Sequence, residues 1–152
     1  MSKKKSKKKG KNDDDEKKEK VVFQANPKGL DGAPDLSMLV YLEMANVLHN
    51  CEHRYNKMSR KHCYTSVATI LLAINPYERL PIYGQDVINE FHEAQKKGRL
   101  PQGRPHPYGV SARSYMRMIQ RKCNQSVIVC GESGAGKVMI IYIIYMPYCD
   151  NA

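Results

Sequence analysis

No apolar run in this sequence approaches the roughly 18–20 residues that a membrane-spanning helix needs. The most apolar stretch, Val138 to Met146, is about half that length. Nor does the lysine-rich N-terminus lead into an apolar segment, as a secretion signal does; acids follow it instead. The expected location is therefore the cytoplasm. Five cysteines (Cys51, Cys63, Cys123, Cys130 and Cys149) are odd in number, scattered, and form no C-x-x-C pair. That spacing argues against a disulfide framework or a zinc ribbon. His49, Cys51, His53, His62 and Cys63 come nearest to a metal cluster. On a helix, however, His49 and His53 share a face at i, i+4 while Cys51 points elsewhere, so they read as ordinary helix-surface and loop residues and no metal ligand is assigned. No internal repeat is visible.

What is present is one domain's worth of chain, 152 residues with 41% hydrophobic composition and a mean hydropathy of -0.60. The net charge of +10 is unevenly placed. Residues 1–20 hold ten lysines and five acids, a net +5, with a basic block from Lys3 to Lys11 and an acidic one from Asp13 to Glu16. Such a segment has no apolar surface to bury and is expected to be disordered. It reads either as a solvated tail or as an electrostatic contact for acidic surfaces such as nucleic acid, anionic lipid or an acidic filament. The lack of any aromatic residue among the lysines, which a base would stack on, favours the solvated tail.

Beyond the tail, residues 21–34 are punctuated by Gly and Pro and read as an extended lead-in. Asp35 or Ser37 is positioned to cap a helix from near Met38 to about Tyr55, with Leu39, Leu42, Met44, Ala45 and Leu48 as its apolar stripe. Tyr64 to Ile74 is β-branched and apolar, and its run Ile70 to Ile74 predicts a buried strand. Asn75-Pro76 breaks it and opens a loop through Tyr83. A helix is expected over Gln85–Lys96 with Val87, Ile88 and Phe91 inward, then a Gly/Pro-rich loop to Pro107. Another helix is expected from Val110 to about Arg121, facing inward through Val110, Tyr115, Met118 and Ile119. Gln125 to Cys130 reads as a short strand, and Val138 to Pro147 as another.

Between those two runs lies Gly131-Glu132-Ser133-Gly134-Ala135-Gly136-Lys137, a G-x-x-x-x-G-K loop following an apolar segment. Its chemistry is that of the backbone. Glycines let successive N–H groups converge on phosphate oxygens where a Cβ would block the approach or the dihedrals. Lys137 adds an ammonium for the terminal phosphates, and a following helix adds its positive end. A working loop of this kind ends in Ser or Thr, whose hydroxyl ligates Mg²⁺. Here the position holds Val138, nearly the shape of Thr without the oxygen, so phosphate contact survives and magnesium geometry suffers.

The seven loop residues are the form that the phosphate loop takes in myosin motor heads. They are preceded by Asn124-Gln125-Ser126-Val127-Ile128-Val129-Cys130, which resembles the segment leading into the myosin loop. Upstream, Asn75-Pro76-Tyr77-Glu78-Arg79-Leu80-Pro81-Ile82-Tyr83 resembles the adenine-side loop of the same family. Val47-Leu48-His49-Asn50, Arg54-Tyr55, Tyr64-Thr65 and Pro105-His106 with Tyr108 match in order, so the resemblance spans about residues 35–137. It departs at Ala68, where the family has a turn glycine, and at Pro107, where an aliphatic residue is usual. After Lys137 the family continues with Thr and a polar, lysine-containing helix. Valine codons begin with GT, the usual start of an intron, and the Ile, Tyr, Met and Asn that follow favour AT-rich codons; residues 138–152 are thus expected to be translated intron sequence.

The resemblance implies an α/β fold of P-loop NTPase type, an incomplete portion of the myosin motor domain with helices packed on part of a central sheet. It implies ATP as ligand, with Gly131, Glu132, Ser133, Gly134, Ala135, Gly136 and Lys137 around the phosphates and Asn75, Pro76 and Tyr83 flanking the base. It further implies an actin-activated Mg-ATPase that works on actin filaments with other parts of a motor, associated with the cytoskeleton. The switch loops of that enzyme are not recognisable in this chain, so at most nucleotide binding is expected of it alone. Two other readings stay open on the residues themselves: a different small P-loop enzyme, and a non-catalytic interaction module acting through the basic tail.

Overall fold

The computed structural model describes residues 24–149, with the side chains of 148 and 149 left aside. The expected disordered tail, residues 1–20, lies outside the described residues. In chain order the elements are α1 (Met44–Glu52), β1 (Tyr64–Val67), β2 (Ile70–Ala73), α2 (Gln85–Lys96), α3 (Pro107–Arg121) and α4 (Lys137–Cys149). Short 3₁₀ turns precede α1, and a π-helical turn, His53–Met58, extends it.

The first helix begins later than the sequence pattern predicts. Asp35 does act as a cap, but of the 3₁₀ turn Leu36–Met38, accepting from the Ser37 N–H at 2.9 Å. Asn26 then clamps Tyr41 in a non-helical conformation, accepting from its N–H and donating to its carbonyl. The buried side of α1 is polar: Asn46, Asn50 and Arg54 sit at i, i+4, i+8. Asn46 donates to the Gln24 carbonyl, Asn50 to that of Ala33, and Arg54 to those of Gly32 and Tyr64. The lead-in has backbone carbonyls to satisfy, and these side chains satisfy them. The expected apolar stripe faces outward instead, with Leu42, Met44 and Leu48 exposed.

β1 and β2 pair antiparallel, Tyr64 opposite Ala73 and Val67 opposite Ile70, so a two-residue turn of Ala68 and Thr69 joins them. Ile70 is exposed, so this is a half-covered hairpin, not the buried strand expected over Ile70 to Ile74. Among the described residues it is the one sheet.

The core gathers around α2. Val87, Ile88 and Phe91 pack with Tyr108 of α3 and Ile143 of α4, while Cys63, Tyr64 and Ile82 form an adjoining cluster that Ile140 also reaches. The inward face of α2 is the predicted one. That of α3 is not: Tyr108, Ser111 and Ala112 are buried near its start, whereas Tyr115, Met118 and Ile119 are exposed. Proline at the first helical position and a capping His106 start α3 three residues earlier than Val110.

Two predicted strands are absent among the described residues. Residues 125–130 pair with no neighbour, and Ile128 is 84% exposed. A strand forms only against a partner, and none lies beside this segment. Val138 to Pro147 is helical: α4 opens with the Ile140 N–H donating to the Gly136 carbonyl at 3.1 Å. Ile140, Ile143 and Met146, at i, i+3 and i+6, lie against the core, and the Ser111 hydroxyl bonds the Ile144 carbonyl at 2.5 Å. Packing of one face overrides the strand preference of its isoleucines.

Candidate phosphate-binding site

α3 ends in a left-handed residue, Lys122 at φ 50°, and the chain runs from there to the glycine loop. Within the loop the Ala135 N–H donates to the Glu132 carbonyl at 3.1 Å, closing a turn. Gly134 and Gly136 take φ of 79° and 87°, a region costly for any residue with a Cβ. Space is limited as well. A Cβ on Gly131 would stand 3.1 Å from that of Ala135, and one on Gly136 would stand 3.4 Å from the Asn75 side-chain nitrogen. The glycines thus keep the loop narrow and its backbone accessible.

The Lys137 ammonium folds back across the loop, donating to the carbonyls of Gly131 and Glu132, each at 2.8 Å. An ammonium has three donors, so one remains for a phosphate oxygen beside those two. Behind it, the first-turn N–H groups of α4 lack intrahelical partners and point toward the loop, adding the positive end of the helix.

Asn75 joins the loop from 59 residues away in sequence. Its Nδ2 donates to the Gly134 carbonyl at 3.0 Å, while its Oδ1 accepts from the Tyr77 N–H at 3.0 Å. The second bond holds Tyr77 at φ 52° and sets the turn through Pro76. The structure therefore brings Asn75 beside the glycine loop, with Pro76 next to it in the chain.

Tyr83 is placed differently. Its hydroxyl lies 2.6 Å from that of Tyr64, its carbonyl accepts from the Tyr108 hydroxyl at 3.0 Å, and its ring packs 5.6 Å from that of His106. Burial raises the pKa of both phenols, so both hydroxyls stay protonated. Tyr83 anchors the far end of the Asn75–Tyr83 loop in the core.

The residue at the centre of that anchor, His106, received no role from the sequence beyond its place in the matched Pro105-His106 pair. It is 4% exposed, with its Nδ1 accepting from the Tyr108 N–H at 3.2 Å and its Nε2 donating to the Ile82 carbonyl at 3.0 Å. Burial pushes its pKa down to about 4; the Ile82 carbonyl opposes the shift and Arg104 adds to it. A neutral imidazole with the proton on Nε2 satisfies both bonds.

The residues present fit a phosphate chain, because the glycine cradle, the helix start and Lys137 all converge on the loop. They do not fit magnesium bound in the manner of this loop type. Val138 is 79% exposed at the position of the hydroxyl ligand and carries no oxygen. Among the described residues no group of three His, Cys, Asp or Glu side chains is placed to hold a metal ion.

Comparison with known proteins agrees with the resemblance. Residues 33–148 match the family described as myosin head (motor domain). Human unconventional myosin-Vb is 45% identical over 117 residues, covering 77% of this chain and 6% of that protein. Myosin-J heavy chain of Dictyostelium discoideum is 44% identical over 116 residues, 76% of this chain and 5% of the relative. Myosin-3 of Arabidopsis thaliana is 39% identical over 113 residues, 74% and 9% respectively. The chain thus spans less than a tenth of the length of these relatives. No described helix is long and apolar enough to cross a membrane. With the family match covering more than half of its length, the chain belongs to the myosin head family, as a fragment of the motor domain.

Proposed function

We propose that this chain is the ATP-binding portion of an actin-based, cytoskeleton-associated motor, built on an α/β P-loop framework. The observation that carries the reading is the Asn75–Gly134 hydrogen bond, which draws the Asn-Pro turn and the glycine loop into one site. Residues 131–137 take the phosphates through backbone N–H groups, and Lys137 supplies the cation. Asn75 and Pro76 flank the base, and Tyr83 holds their loop in place from the core side. Filament binding and motility belong to the whole motor, and the fragment is not a competent motor by itself.

The experiment is calorimetric titration of ATP into the full chain, with and without Mg²⁺, alongside Lys137→Ala, Asn75→Ala and Val138→Thr. Lys137→Ala removes a charge-assisted hydrogen bond worth about 1.5–3 kcal/mol, a loss of about 10–100-fold in affinity. Asn75→Ala removes a neutral bond worth about 1 kcal/mol, about fivefold. The parent chain is expected to bind ATP equally with and without Mg²⁺, and Val138→Thr to gain Mg²⁺ dependence. If Val138→Thr changes nothing, the account of that position is wrong. If Lys137→Ala binds as well as the parent, the loop is not the site.

A further inference from the structure

α4 carries two apolar stripes on opposite sides. Ile140, Ile143, Ile144 and Pro147, at i, i+3, i+4 and i+7, form the side turned to the core, and Ile143 and Ile144 are buried. Val138, Ile141, Tyr142 and Tyr145 repeat that spacing on the far side, with Met139 at its edge. All five are exposed, Val138 to 79% and Tyr142 to 64%. A helix that is apolar all round is ordinarily covered all round. The far stripe also differs from other exposed apolar groups. No charged residue lies between Val138 and Cys149, whereas Met118 and Ile119 of α3 stand beside Arg117 and Arg121.

A lipid surface suits this stripe poorly. Helices that lie in a bilayer interface oppose their apolar side with a basic one, and α4 has no basic side. No described helix is long and apolar enough to cross a membrane. A second copy of the chain suits it better. The five exposed side chains offer roughly 600 Å² per copy, so a symmetric pair buries up to roughly 1,200 Å², the lower limit for a stable specific interface. Direction follows from size and charge. Parallel pairing sets tyrosine on tyrosine and brings together two Lys137 ammoniums and two positive helix ends. Antiparallel pairing sets Val138 against Tyr145 and Ile141 against Tyr142 of the second copy, a smaller side chain facing each ring, and opposes the two helix dipoles.

We propose that the outer stripe of α4 is a homodimer interface, in which α4 packs antiparallel on α4 of a second copy with Val138 facing Tyr145. Each copy presents the same patch, so the contact closes at two chains and does not propagate.

Sedimentation equilibrium of the full chain tests this, and the parent is expected to exchange between monomer and dimer with no larger species. Tyr142→Lys is expected to weaken the dimer by about 100-fold, because two unpaired charges enter a dry seam. Leu48→Lys, at an exposed apolar position of α1, is expected to dimerise as the parent does. The register is tested by V138E and Y145K, each expected to lose about 100-fold alone. In a 1:1 mixture the new carboxylate at 138 faces the new ammonium at 145. Native mass spectrometry with one variant ¹⁵N-labelled is then expected to show heterodimers at least about tenfold tighter than either homodimer. If Tyr142→Lys shifts the unfolding midpoint, the mixture alone decides. A monomeric parent, species larger than dimers, a dimer indifferent to Tyr142→Lys, or equal loss in Leu48→Lys would each overturn the proposal. So would a mixture without preference for heterodimers, or a monomeric parent that binds phosphatidylcholine vesicles through this stripe.

Discussion

Acidification should loosen this fold at His106 before its carboxylates account for the change. Its ring is enclosed by Tyr64, Phe91, Tyr83 and Tyr108 at centroid distances from 4.5 to 5.7 Å. Protonating Nδ1 places an N–H against the Tyr108 N–H that now donates to it, so one bond becomes a donor–donor clash in a buried site. The folded pKa is about 4, against an ordinary value of 6.5. A histidine held neutral by the fold contributes stability that is present above pH 6.5 and is lost as pH falls through 6.5 toward 4, because the unfolded chain takes up the proton first. At 1.36 kcal/mol per pH unit, the loss reaches about 2 kcal/mol by pH 5 and about 3 kcal/mol by pH 4. Guanidinium unfolding of the dilute full chain, followed by circular dichroism between about pH 7 and pH 5, measures it. His106→Asn keeps an acceptor for the Tyr108 N–H and removes the titration. It should be less stable than the parent at pH 7, and the gap should close by about 2 kcal/mol at pH 5. Carboxylate titration is common to both proteins and cancels. Parallel pH profiles for the two would refute the argument.

Ala68→Gly should stabilise the chain by about 1 kcal/mol. Ala68 sits at φ 52° as first residue of the two-residue hairpin turn, where glycine is preferred, and a midpoint shift in the same unfolding assay reads the effect. No gain, or a loss, would mean that the turn conformation is wrong. The chain from residue 21 onward should self-associate as concentration rises, since Val138, Met139, Tyr142 and Tyr145 expose an apolar side of α4; sedimentation as a monomer at all concentrations would contradict this. Residues 138–152 are proposed to be translated intron, so spliced transcripts should read Thr after Lys137; transcripts that uniformly encode Val138 would sink that proposal.

The parts of this molecule legible in its sequence are those where one side chain or one short motif decides the outcome. The face of α2 was legible because Val87, Ile88 and Phe91 are apolar at helical spacing and the helix is buried on one side only. The glycine loop was legible because its dihedrals admit little but glycine at positions 134 and 136. Where a distant partner decides, the pattern misled. Leu42, Met44 and Leu48 gave α1 an apolar stripe, yet the helix buries Asn46, Asn50 and Arg54, because the lead-in offers carbonyls that need donors. Nothing within α1 announces those carbonyls. Residues 125–130 have strand composition, but a strand is a relation between two segments, and no second segment lies beside them among the described residues. α4 shows the converse: a β-branched run becomes a helix because Gly136 starts it and α3 receives one of its faces. The same distinction divides the site. Lys137 and the glycines were proposed from local sequence, and Asn75 from resemblance. The bond between Asn75 and Gly134, which brings the two segments together, depends on a turn geometry at Tyr77, φ 52°, that residue spacing does not encode. His106 escaped for the same reason: its role consists of contacts to Ile82, Tyr64 and Tyr83, from 23 to 42 residues upstream, and of a proton that burial there keeps off.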